Sequence, residues 1–248
     1  MFQKLRKSKK LLLVAMACAT FAIAGCGSDT TKNTADNGNA VTWSETFDGT
    51  KTDFAVKSAP THAVSMSQAT TEMMLQLGLE DKMAGTAFKE EEIYPPLQAA
   101  YDKVKVLSDK WPSYEVFMSV KPDFATGWPD SFSKRAIPAD KMIAQKVNIW
   151  LPESMLSTKA DLETNFNDMI KLGEIFGVKP KAEEWVAGQR KTLEAIQAKL
   201  KDLPRKRVFI YDSEDGQPFT AFEGYTTNIL KLIGADNVMS GLGVDKTW

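Results

Sequence analysis

Histidine and cysteine are nearly absent from this 248-residue sequence. It has one histidine, His62, and two cysteines, Cys18 and Cys26, both close to the amino terminus. A metal centre built from several histidines is thereby excluded, and no cysteine cluster replaces it. No GxSxG elbow, no P-loop and no His-Glu-x-x-His pattern occurs, so no motif points to catalysis. A serine–histidine pair through His62 has no partner signal, and His62 reads as a strand-edge residue. A basic excess is missing as well: 31 Lys and Arg stand against 32 Asp and Glu, for a net charge of −1. Such a balance does not suit a nucleic-acid binder. Finally, the apolar run Leu11–Ala24 falls short of the roughly 20 residues that a bilayer crossing needs.

What that run does offer is an address. Lys4, Arg6, Lys7, Lys9 and Lys10 precede it, and small residues close it before Cys26. A charged start, a short greasy middle and a small-residue end describe an export signal, here residues 1–25. The tetrad Ile23-Ala24-Gly25-Cys26 resembles the lipobox of bacterial lipoproteins, in which the signal is cut before the cysteine and the thiol is acylated. The other reading is an ordinary secretory signal with an incidental Cys26. Cleavage removes five basic residues and no acidic one, which takes the formal charge from −1 to −6. With Cys18 gone and Cys26 lipidated, no disulfide is left, and stability rests on an ordinary core. The 43% hydrophobic content is sufficient for one.

Residues 26–44 are mostly small and polar and read as a flexible tether. Residues 43–58 carry a hairpin signal, with Asp48-Gly49 as the turn. From His62 onward the pattern alternates. Strands are expected at 63–66, 85–87, 123–128 and 147–150, with helices between them. Ser67 is placed to cap the first helix and Gly78 to end it. Short helices are expected near 113–120 and 139–145, and an amphipathic one over 161–177. A longer helix follows from about Lys181 to Leu203, with Trp185, Val186, Leu193, Ile196 and Leu200 at helical spacing. After Pro204 a new strand opens at 207–211. Alternation of this kind implies an α/β fold with mostly parallel sheet. The restart after a long helix fits two lobes joined by a strut, or one sheet with a long crossover.

Four segments resemble the substrate-binding lipoproteins of ABC importers for ferric siderophores, haem and cobalamin. They are His62–Ser67 followed by Ala69-Thr70-Thr71-Glu72 and Leu75–Leu79; Ser113-Tyr114-Glu115 leading to Val120-Lys121-Pro122-Asp123; Arg205–Ile210; and Phe219–Glu223 with Asn228-Ile229-Leu230 and Ile233–Val238. The resemblance implies two lobes of mostly parallel sheet with flanking helices, joined by one long α-helix, with the ligand between them. The expected divisions are an amino-terminal lobe over 45–179, an interlobe helix over 180–203 and a second lobe over 204–248. That lobe is short for the family, so an incomplete second lobe, from a fragment or a truncated protein, is expected.

Ligands in α/β sheets sit beyond the carboxyl ends of the strands, which draws attention to aromatic residues there. Trp128 and Trp150 end strands, Tyr94 and Trp111 sit in loops, and Phe219, Phe222 and Tyr225 bracket a loop in the second lobe. Flat rings across a cleft suit a large, partly apolar ligand such as a metal chelate. Trp128 also matches a cleft position of the family, whereas Trp150 reads either as wall or as core. Lys134 and Arg135 are candidates to meet an anionic siderophore, or are simply solvated. Glu115 and Glu223 match the family's two carboxylates, one per lobe, that dock onto arginine pockets of the permease; the other reading is plain surface glutamates.

The function this implies is capture of an iron complex (siderophore or haem) or a related chelate, and its delivery to an ABC permease and its ATPase. A cobalamin receptor of the same family and a surface lipoprotein hydrolase are the alternatives. No cofactor is implied beyond the transported ligand, and no nucleic acid. A monomer is expected, extracytoplasmic and held to the membrane by lipid on Cys26, in the periplasm or on the outer cell surface.

Overall fold

The computed structural model describes residues 40–214 and 216–242. The expected export signal, the expected lipobox with Cys26 and most of the expected tether lie outside them. The expected tether overlaps the first strand, because β1 (Val41–Phe47) already pairs along its whole length with β2 (Thr50–Val56). Asp48 and Gly49 both take positive φ, 47° and 77°, the conformation of the two-residue turn that matches strand twist.

The main lobe alternates strand and helix. In chain order it runs β3 (Ala63–Met66), α1 (Gln68–Gln76), β4 (Met83–Ala87), α2 (Gln98–Tyr101), β5 (Val106–Ser108), α3 (Tyr114–Ser119), β6 (Phe124–Gly127), α4 (Ala139–Ala144), β7 (Asn148–Trp150) and α5 (Leu162–Ile175). The five strands β3–β7 form one parallel sheet in the order β5-β4-β3-β6-β7. Successive strands step outward from β3 to one edge, and the chain then crosses back to build the other half from β6. The sheet therefore has a topological switch between β3 and β6, where ligands of open α/β sheets are held.

Helix ends follow local chemistry. The Ser67 hydroxyl accepts from the Thr70 N–H and caps α1. Asp161 and Thr164 form a reciprocal capping box on α5. Gly78 and Gly177 close α1 and α5 with positive φ of 63° and 69°. At each, the next residue donates back into the helix, Leu79 to Met74 at 3.1 Å and Val178 to Gly173 at 2.7 Å. This is the Schellman arrangement, which is open to glycine without steric cost. Two apolar clusters cover the sheet, one containing Met74, Phe166 and Leu172, the other Met66, Phe117 and Ile149, all essentially inaccessible to water.

The long helix α6 runs Lys179–Leu200, one to two residues earlier at its start and three earlier at its end than expected. Its first half packs on α5. Ala182 and Val186 are buried, and Trp185 meets Phe166 edge to face at 6.2 Å. Its second half is largely exposed, with Ile196 40% accessible, so there it serves as a strut. A second, small lobe follows: β8 (Lys206–Val208), β9 (Ser213–Glu214), β10 (Pro218–Phe219), α7 (Tyr225–Leu232) and β11 (Ala235–Asn237). β8 pairs in parallel with β11, and β9 pairs antiparallel with β10. The expected strand over 207–211 is shorter than predicted, and Phe209 and Tyr211 stand 47% and 59% exposed. The architecture is thus α/β, two lobes joined by one long helix. The small lobe touches the main one where the Asn228 amide donates to the Ala160 carbonyl at 2.9 Å.

Candidate ligand-binding cleft

Three residues at the carboxyl ends of the sheet begin the site. Met66 ends β3, and its carbonyl accepts from the Trp111 indole at 3.1 Å and from the Ser131 hydroxyl at 3.2 Å. Gly127 ends β6 so close to β3 that an added Cβ would lie 3.0 Å from Met66 backbone and side chain. This approach delivers Trp128 directly beside the amino end of α1, at the switch point. Pro129 then opens a 3₁₀ turn over Pro129–Phe132, which holds Trp128 half-buried at its start.

The Trp128 indole donates to Glu90 Oε2 at 3.2 Å. Glu90 belongs to the loop after β4, where Phe88 takes φ of 60°, a strained value for a bulky residue. Phe88 stacks on Trp111 at 4.6 Å between centroids and 15° between planes. The loop is pinned by α1: the Gln68 amide oxygen accepts from the Glu90 and Glu91 N–H groups, and Glu72 Oε1 accepts from the Tyr94 N–H at 3.2 Å.

On the other side, the segment after β7 forms a wall at residues 154–158, and two buried carboxylates hold its base. Asp168 on α5 accepts from the Glu153 and Ser154 N–H groups at 2.8 and 2.9 Å. Glu45 on β1 accepts from the Leu151 N–H at 3.0 Å. Burial pushes Glu45 up to about 7, helped by the neighbouring charges of Glu153 and Asp168. Burial also raises Asp168.

These elements enclose three hollows that share lining residues. The first, about 450 Å³, is bounded by Ala69, Trp128 and the 154–158 wall on the main lobe and by Glu223, Tyr225 and Thr226 on the small lobe. The second, about 620 Å³, shares Ala69 and Asn165 with it and adds Tyr94, Glu72 and Trp185. The third, about 430 Å³, shares Trp128 and adds Phe88, Glu90, Trp111 and Asp130. A trench of this size across two lobes is within the range of small-molecule sites.

Of the residues singled out in the sequence, Tyr94, Trp111, Trp128 and Tyr225 come together around this trench. Three do not. Trp150 is 4% exposed and packs in the main core, because its side chain points into the layer between sheet and helices. Phe219 stands 51% exposed on β10, and Phe222 lines none of the three hollows. Glu115 is exposed on the first turn of α3, where its own N–H and the Ser113 hydroxyl hold its carboxyl below the usual range. Glu223 is the second expected docking carboxylate. It lines the first hollow, and its Oε1 accepts from Ser240 and Gly241 at 2.9 and 2.6 Å, contacts that lower its pKa. Arg135 is taken by Asp130 at 2.6 Å, and Lys134 is exposed. His62 is exposed at the amino end of β3, the opposite end of that strand from the trench. Phe88, Glu90, Glu72 and Trp185 were not expected at the site; the Lys89–Glu92 charge run carries no apolar period to draw attention. Among the described residues no group of three or more His, Cys, Asp and Glu is arranged to hold a metal ion.

Comparison with known proteins gives a consistent result. The family model described as "Periplasmic binding protein" matches residues 64–247. A crystal structure of a periplasmic binding protein from Veillonella parvula is 96% identical, with a TM-score of 0.84, over 85% of this chain and 71% of that one. An uncharacterized ABC transporter substrate-binding lipoprotein from Bacillus subtilis is 26% identical over 93% of this chain and 73% of its own length. A vitamin B12-binding protein from Vibrio vulnificus is 25% identical over 75% of this chain, and the match spans 65% of that relative.

Proposed function

The chain belongs to the periplasmic binding protein family, and from that premise we propose that it is the extracytoplasmic solute receptor of an ABC importer. In this reading it captures a bulky metal chelate, a ferric siderophore, haem or a corrinoid, and passes it to the permease and its ATPase. The observation that carries the reading is the trench at the sheet's switch point, with Trp128 from one lobe and Tyr225 from the other on one hollow of about 450 Å³. Rings from two bodies give a large ligand two flat faces, and a ligand that touches both bodies favours their closed arrangement. The corrinoid class has added support from the Vibrio relative, which is named for vitamin B12.

Residues beyond the cleft complete the proposal. Glu115 is an exposed, ionised carboxylate on a fixed helical turn and is the docking point toward the permease. The protein is a monomer tethered by lipid on Cys26. Among the described residues no helix is long and apolar enough to cross a membrane. Nothing in the cleft favours the hydrolase alternative, since the single histidine does not line it.

Titration of tryptophan fluorescence with ferric siderophores, haem and cobalamin tests the reading. Saturable quenching by at least one of them without chemical change of the ligand is expected, and weaker binding by Trp128→Ala. Absence of binding across all three classes contradicts it.

A further inference from the structure

The trench is acidic as well as aromatic. Its three hollows are lined by Glu72, Glu90, Asp130 and Glu223 and, among the described residues, by no lysine, arginine or histidine. Arg135 neutralises Asp130. The other three make no ion pair among the described residues, and only Lys231 acts on Glu223, from beyond pairing distance.

Each of the three commits a single oxygen within the protein. Glu72 Oε1 holds the Tyr94 N–H and the Gln68 amide, Glu90 Oε2 holds the Trp128 indole, and Glu223 Oε1 holds the Ser240–Gly241 turn. The second oxygen of each has no partner among the described residues. Every carboxylate is thus fixed in place by one arm and open at the other, next to an aromatic wall.

Clefts with low-dielectric walls focus the field of the charges that line them, so the interior repels anions and concentrates cations. The faces of Trp128, Tyr94 and Tyr225 add attraction for a positive group lying over a ring. Like charges brought together on binding cost several kcal/mol and are an effective means of exclusion.

We propose that the cleft selects its chelate by charge, taking neutral or cationic complexes, with a protonated amine met by Glu90 or Glu223, whose hollows share Trp128, and rejecting polyanionic ones. This rests on the receptor reading and narrows it. Three hydroxamates neutralise Fe³⁺, so a pendant ammonium leaves such a complex at +1, whereas three catecholates leave it at −3. Haem carries two propionates. The inference therefore favours hydroxamate chelates and corrinoids over catecholates and haem.

The test is a charge series measured by fluorescence quenching at low and high salt. The probes are a linear ferric trihydroxamate with a free terminal amine, the same complex N-acetylated, ferric triscatecholate, haem, and aquacobalamin beside cyanocobalamin. At low salt the free amine is expected to bind about tenfold tighter than its acetylated form, as one charge-assisted contact would supply. The triscatecholate and haem are expected to be weaker than both, and 0.5 M salt should narrow the series, with roughly the Debye length falling from 10 to below 5 Å. Glu90→Gln, which keeps an acceptor for Trp128, should weaken the free-amine complex about threefold and so narrow its advantage over the acetylated one. If only corrinoids bind, the aqua form at +1 must bind tighter than the neutral cyano form.

Equal or tighter binding of the triscatecholate or haem overturns the charge inference, as does an acetylation or axial-ligand change without effect at low salt. Either result leaves the receptor reading intact. Failure of every probe to bind defeats the receptor reading, and the charge inference with it.

Discussion

Replacing Glu45 by glutamine should make the protein more stable at pH 8 and nearly indifferent at pH 5. Glu45 is 7% exposed on the hairpin that precedes the main sheet, and it accepts the Leu151 N–H at the base of the cleft wall. Desolvation, with Glu153 and Asp168 nearby, raises its pKa from 4.5 to about 7. At about 1.36 kcal/mol per pH unit, keeping it ionised in the folded state costs about 3 kcal/mol. The folded protein holds this proton more tightly than the unfolded chain, so the contribution to stability is full below 4.5 and lost as pH rises to 7. Asp168, also raised by burial, pushes in the same direction. Glutamine keeps an acceptor for Leu151 and has no charge to bury, but its amide needs a partner, at about 1 kcal/mol. The net gain at pH 8 is about 2 kcal/mol, or roughly 4–8 °C in Tm for a chain of this size. Thermal unfolding of both proteins at pH 5 and 8 reads this directly. Parallel losses of Tm in the two proteins between pH 5 and 8, or a less stable variant at pH 8, would refute the reasoning.

Three further outcomes are expected. Trp128→Ala should weaken chelate binding by about tenfold, the worth of one aromatic face with its burial, while far-ultraviolet circular dichroism stays unchanged; unaltered affinity would remove Trp128 from the site. Gly173→Val should destabilise by about 1–3 kcal/mol, because even a Cβ there would sit 2.6 Å from Ala182 Cβ and force α5 and α6 apart; urea unfolding checks it, and an unchanged midpoint would show that the two helices do not need this close approach. Glu115→Ala should leave ligand affinity untouched and reduce uptake in cells carrying the transporter, measured with radiolabelled iron or cobalt; normal uptake would free Glu115 of a docking role.

Much of the fold was legible because local chemistry and the tertiary structure agree. Ser67, Gly78, Asp48-Gly49 and Gly177 mark their boundaries by capping and turn rules that need no distant partner. The edge strand β5 was not legible. Its three residues are at best half-buried, so they carry no alternation, and only pairing with β4 makes them a strand. For the cleft, proximity to a strand end picked out Trp128, and Pro129 held it there. The same criterion left Trp150 open between ligand wall and core, and it faces the core. A period of two fixes which residues share a face, and not which face meets solvent. Glu223 shows a different limit, since the turn it supports at Ser240–Gly241 is 17 residues away in sequence.

The central claim is that a bulky chelate sits between the lobes over the sheet's switch point, and a crystal structure of the protein with the chelate it binds most tightly tests that most directly. The account predicts ligand density in contact with both Trp128 and Tyr225. Density confined elsewhere, for instance against the exposed Phe209 and Tyr211, with an empty trench, would contradict it.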